Sequence, residues 1–153
     1  MDSVIPHPTS RVCSGKKMTL EEFANLAIGV PFLDNGRDLY GWDCWGLVVR
    51  TYRECADIEV PGFDYVSALN ADEVKAIFDD TKTSWIEVPV GQEKPLDVIV
   101  LRNGSWPCHT GVVVKKGLML HVDAKIDTCV EPYTSGVWKT RLVGIFRHKE
   151  MGH

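Results

Sequence analysis

The sequence predicts an α+β domain with helices packed on an antiparallel sheet. Two patterns and one size argument predict it. Helical periodicity is confined to the first half of the chain, and strand-like alternation takes over after Trp85. A doubly wound fold would interleave the two. The 153 residues suit one domain of ordinary size, and no repeat, low-complexity tract or long linker divides them. The domain is expected over residues 19–153, after a polar, proline-containing arm at residues 1–18.

Thr19, with Glu22 three positions on, forms a capping box, and Leu20, Phe23, Ala24 and Ala27 recur at helical spacing, so a helix is expected at 19–28. Gly29 and Pro31 end it, and Asp34-Asn35-Gly36 reads as a tight turn. A second helix starts at Asp43 or Cys44, runs to Cys55 and is apolar at Trp45, Val48, Val49 and Tyr52. Asn70 caps a third, short helix through Phe78, with Glu73 at the capping-box position. Strands are expected at 85–88, 97–102, 109–115, 118–122, 129–132 and 142–148, giving a sheet of about five to six strands.

A chain that is 44% hydrophobic and 25% charged, with formal net charge -4, is ordinary globular composition. It has no Lys/Arg run of the kind a nucleic-acid binder shows. No stretch approaches the roughly 20 apolar residues of a membrane span, and the polar first residues do not read as a signal peptide. Synthesis in the cytoplasm is therefore expected, followed by another route of export or assembly into a particle. Five cysteines, Cys13, Cys44, Cys55, Cys108 and Cys129, are an odd number, so at least one thiol is free.

The segment Gly41-Trp42-Asp43-Cys44-Trp45-Gly46-Leu47-Val48 sets a cysteine at the start of a helix after a glycine-rich loop. Unpaired N–H groups in the first helical turn, with the positive end of the helix dipole, stabilise a thiolate there. They can also hold the oxyanion of a tetrahedral intermediate. The plainer alternative is a buried cysteine acting as a small hydrophobe.

A thiolate nucleophile needs a base, and His109 and His121 are the candidates. They lie on two strands joined around Lys115-Lys116-Gly117. A two-residue loop would set Val112 opposite His121 and turn the imidazoles to opposite faces. A three-residue loop with Gly117 left-handed sets Gly111 opposite His121, puts both rings on one face and leaves room for the His121 ring. His121 could then fix the tautomer of His109, with Asp123 as the alternative orienting group. The plainer reading is a pair of ordinary strand histidines.

Other residues are not assigned to the site. Asp97 and Glu131 read as solvated strand-end carboxylates. Cys108 is expected to point away from His109 by strand alternation. A zinc site of Cys108, His109, His121 and Cys129 lacks recognised spacing and needs opposite strand faces, so no metal and no cofactor are expected. Trp85, Trp106, Tyr133 and Trp138 cover the sheet or rim a cleft.

Taken in order, the Cys44 segment, Cys108-His109-Thr110-Gly111-Val112-Val113-Val114 and Met119-Leu120-His121 resemble the NlpC-type cell-wall cysteine peptidases. Gly29-Val30-Pro31-Phe32, Pro95-Leu96-Asp97-Val98-Ile99 and Gly144-Ile145-Phe146-Arg147 extend the resemblance over about residues 20–148. It implies a papain-like fold with the cysteine helix on the sheet, and Cys44, His109 and His121 as nucleophile, base and base-orienting residue. The implied substrate is the peptidoglycan stem peptide, commonly cut between D-γ-glutamate and the diamino acid that follows.

This chain has Trp45 where many members carry Ser, and Phe32 where many carry Tyr. Those two residues and Asp43, which could meet a cationic amine, are the candidate substrate contacts. The Trp-Asp-Cys-Trp-Gly-Leu form resembles members found in bacteriophage tail tips and gene-transfer particles, implying a virion-borne hydrolase with other tail-tip proteins as partners. Two other readings stay open: a structural or assembly protein of a tail tip keeping the fold, and an acyltransferase or amidase using the same thiol.

Overall fold

The computed structural model describes residues 17–61, 84–103 and 106–151, with the backbone alone at 103 and 106–108. The expected helix from Asn70 to Phe78 lies outside this set, as does nearly all of the expected N-terminal arm. Met18, placed by the sequence in that arm, is buried in the core, and its N–H donates to Glu54 O at 2.8 Å.

Helix α1 spans Leu20–Ala27, capped by Thr19. The expected capping box is present: Thr19 Oγ1 accepts from the Glu22 N–H at 3.1 Å, and Glu22 Oε1 accepts from the Thr19 N–H at 2.9 Å. Phe23 and Ala27 are its buried face. A small hairpin follows, β1 at Arg37–Asp38 and β2 at Gly41–Trp42, which the sequence reading treated as loop. Helix α2 covers Cys44–Cys55 with Asp43 as its N-cap. It is buried on most sides, so its one strongly charged buried pair, Arg50 with Glu54, is closed internally at 3.1 Å.

The sheet is six-stranded and antiparallel throughout: β3 (Trp85–Val88), β4 (Val98–Asn103), β5 (Trp106–Lys115), β6 (Leu118–Asp123), β7 (Ile126–Pro132) and β8 (Leu142–His148), in the order β3-β8-β4-β5-β6-β7. A short helix α3, Gly136–Lys139, sits in the β7–β8 connection and a 3-10 turn at Lys149–Met151 closes the chain; neither was expected. No helix among the described residues is long and apolar enough to cross a membrane.

Strand alternation divides the core into two faces. On the first, Val48, Val49 and Tyr52 of α2 pack with Val98 and Val112, while Leu47 joins Phe23, Ala27, Trp42, Leu120 and Val122. On the second, Ile99, Leu101, Val113, Met119 and Ile145 pack with Tyr133 and Trp138. Asp97, expected to be solvated, is instead buried. Its carboxylate accepts from Arg147 Nε and Nη2, both at 2.8 Å, which neutralises a charge that burial would otherwise make costly.

Candidate active site

Cys44 is the first residue of α2 and is buried. The cap just before it has its own work. Asp43 Oδ1 accepts from the Gly46 N–H at 2.7 Å and from Arg37 Nη1 at 2.8 Å, and Oδ2 accepts from the Asn35 N–H at 3.0 Å. Asp43 was expected to face a substrate amine. The structure corrects this: the carboxylate is 1% exposed and its oxygens are committed to the helix start and the preceding turn. The correction helps the thiol, because the Arg37 guanidinium balances a negative charge that would oppose a thiolate beside it. Close packing fixes the loop here, since a Cβ at Gly36 would strike Gly41 and one at Gly46 would strike Gly36.

Trp45 is half-buried, donating from Nε1 to Pro61 O at 2.7 Å and meeting Trp85 edge-on at 6.3 Å. Phe32 is half-buried against the first-face core and bridges to Trp42.

The histidine pair depends on the β5–β6 register. Val112 pairs with Leu120 and Val113 with Met119, which sets Gly111 opposite His121, the register that puts both rings on one face. Gly117 is left-handed at φ 90 as expected. The extra residue, however, lies at Val114, between the Val113–Met119 and Lys115–Leu118 pairs, and the loop itself is Lys116-Gly117. A Cβ at Gly111 would come within 3.3 Å of His121 Cβ and 2.9 Å of Met119 Sδ, so glycine there is what lets His121 sit beside its neighbour.

His109 Nε2 lies 3.0 Å from His121 Nδ1, with the rings nearly perpendicular. Trp138 stacks on His109 at 5.1 Å and 18°, and meets His121 edge-on at 5.2 Å. Glu131 Oε1 accepts from Trp138 Nε1 at 2.7 Å and stands 3.3 Å from His121 Nε2. That last approach lacks hydrogen-bond geometry and leaves Nε2 unsatisfied, so the carboxylate acts on it through charge. Burial holds both imidazoles below their usual pKa, His109 further because a charged His121 would repel it; Glu131 and Asp123 pull partly the other way. Asp123, the expected alternative orienting group, thus acts on the pair by charge, and no hydrogen bond from it to either ring is found among the described residues.

His109, His121, Glu131 and Trp138 all project from the second face, with the body of α2 on the first. His109 follows directly on a β-bulge: Leu101 pairs with His109 but Arg102 with Pro107, so Cys108 is the extra residue and strand alternation breaks there. The side chain of Cys108, expected to point away from His109, lies outside the described residues, as does that of Trp106.

Glu131 and Trp138 are the site residues that sequence reasoning missed. Counting back from the Asp123–Ile126 pair would set Thr128 opposite His121. A register shift between His121 and Asp123 puts Cys129 there instead, and with it Glu131 on the histidine face.

A helix opening with a capped cysteine, set on an antiparallel sheet whose adjacent strands carry a linked imidazole pair, is a papain-like arrangement. The NlpC/P60 family model matches residues 29–147, and the chain belongs to that family.

Solved structures agree on the fold. A lipoprotein-like NLP/P60 family protein from Staphylococcus aureus superposes with TM-score 0.64 at 18% identity, covering 95% of this chain and 45% of its own. The NlpC/p60 domain of the peptidoglycan hydrolase SagA gives 0.58 at 17%, covering 84% and 96%. The peptidoglycan hydrolase RipB of Mycobacterium tuberculosis gives 0.55 at 19%, covering 84% and 62%. The chain therefore spans less than half the length of the staphylococcal protein. Curated proteins offer no match.

Proposed function

We propose that this chain is a cysteine peptidase acting on the stem peptide of bacterial peptidoglycan, with Cys44 as nucleophile, His109 as general base and His121 as the residue that orients it. The observation that carries this is the 3.0 Å contact between His109 Nε2 and His121 Nδ1 under Trp138. A neutral His109 that donates from Nε2 to His121 keeps the lone pair on Nδ1, the nitrogen that would take the thiol proton and return it to the leaving amine. His121 then carries its own proton on Nε2, toward Glu131. For thiol and imidazole to meet, the start of α2 must come round the end of β5, and the bulge just before His109 is the local feature that would allow it. Backbone N–H groups at the start of α2, beside Cys44, would receive the oxyanion.

Family membership, and structural neighbours that are peptidoglycan hydrolases, support peptidoglycan as the substrate. The bond between D-γ-glutamate and the diamino acid is the expected cut, with Trp45 and Phe32 as candidate substrate contacts. A place in a phage tail tip, alongside other tail proteins, rests on the Trp-Asp-Cys-Trp-Gly-Leu form alone.

The test is product analysis on defined muropeptides. Cys44→Ala should lower hydrolysis at least about a thousandfold with an unchanged fold, and Cys44 should be alkylated well below the pKa of about 8.5 of an ordinary thiol. That acid shift should be lost in His109→Ala. Hydrolysis undiminished in Cys44→Ala would end the proposal. Co-purification with tail proteins and no hydrolysis of any wall type would favour the assembly-protein reading.

A further inference from the structure

We propose that His121, Cys129 and Glu131 form a site for a zinc-like divalent cation whose occupancy switches off the catalytic base. The nitrogen, sulfur and carboxylate oxygen these residues offer all lie within 4.8 Å of one another. Glu131 Oε1 is 3.3 Å from His121 Nε2, and Glu131 Oε2 is 3.8 Å from Cys129 Sγ. Zinc bonds of about 2.0–2.3 Å at tetrahedral angles set neighbouring ligands roughly 3.3–3.8 Å apart. The two contacts fall in that range but run to different oxygens of Glu131, so an ion would be held by both oxygens or by a small turn of the carboxylate.

The independent sign is His121 itself: fully buried, with Nε2 aimed at the cluster and no hydrogen bond of its own. Register places all three on one face, His121 opposite Cys129 and Glu131 two residues further along β7. The four-residue zinc set weighed from sequence contained neither Glu131 nor this geometry. An imidazole, a thiolate and one carboxylate favour zinc over the hard, oxygen-seeking cations.

The consequence for the base follows from proton positions and rests on the assignment of His109 made above; the site itself does not. Without metal, His121 carries its proton on Nε2 and His109 on Nε2. A metal on His121 Nε2 moves the His121 proton to Nδ1, which donates toward His109 Nε2. His109 must then hold its own proton on Nδ1, the nitrogen meant for the Cys44 proton, and it can no longer accept one. The histidine pair holds two protons before and after. Cys129 releases its thiol proton to solvent on ligation.

The experiment titrates the full chain with Co2+ as a spectroscopic probe and Zn2+ as inhibitor. One Co2+ should bind per chain, with a thiolate-to-cobalt absorption and tetrahedral visible bands. These should persist in Cys44→Ala and vanish in Cys129→Ser, and weaken in Glu131→Gln, each variant being checked for native circular dichroism. Zn2+ should lower wild-type hydrolysis at least tenfold, reversibly on chelation, and leave Cys129→Ser unaffected. Loss of the thiolate band in Cys44→Ala but not in Cys129→Ser would overturn the site, as would absence of binding. Binding without inhibition would overturn the switch. Because the cobalt spectrum of Cys44→Ala is read without turnover, it stands or falls apart from the hydrolase assignment.

Discussion

Glu131 is half-exposed at a strand end, yet its charge falls on the far nitrogen of His121. The carboxylate favours a proton on His121 Nε2 and so a lone pair on Nδ1 facing His109. Trp138, which donates to the same oxygen, holds the carboxylate in place and covers both rings. Glu131→Gln keeps the shape and removes the charge. If that charge is worth about one pKa unit to His121, or about 1.4 kcal/mol, kcat should fall about tenfold while KM stays within about twofold. An unchanged kcat would show that Glu131 does no more than anchor Trp138.

At the scale of elements, strand β6 is flanked by two hairpins, and each carries a one-residue register shift. The first brings His121 to the His109 face, and the second brings Cys129 and Glu131 to it. Either slip undone would turn a side-chain set to the other face, because the side-chain period along a strand is two residues. Gly111 is the steric condition for the first. Gly111→Val should push His121 off His109, destabilise the fold by about 1–3 kcal/mol through overpacking and remove most activity at temperatures where the protein stays folded. Denaturant unfolding together with hydrolysis rates checks this; full activity in a folded Gly111→Val protein would refute the packing argument.

For the molecule as a whole, three buried histidines make stability depend on pH. His109, His121 and His148 have folded pKa values below the ordinary 6.5, chiefly from burial. Below that pH the unfolded chain takes up protons that the folded chain refuses, so stability is complete above it and falls as pH drops toward the folded values. Each group contributes a slope of up to about 1.4 kcal/mol per pH unit within its window. Thermal unfolding should therefore show a melting temperature that declines from about pH 6.5 downward, before most carboxylates titrate. A flat profile down to about pH 5 would contradict the burial of these imidazoles.

The sequence by itself determined the class of fold, because the change of hydrophobic period after Trp85 and the Thr19 capping box are local signals that tertiary contacts did not override. It also marked Cys44, His109 and His121, and showed that Gly111 opposite His121 would bring the rings together. It left open which loop would do so, and the bulge at Val114 decided that. Asp43, Asp97 and Glu131 were misjudged for one reason: a carboxylate's partner is set by what packs against it. Arg37, Arg147 and the His121–Trp138 pair lie 6, 50 and up to 10 residues away. Only the tertiary structure could supply those neighbours, since the β6–β7 shift and the return of α3 over the sheet leave no periodic trace in the chain.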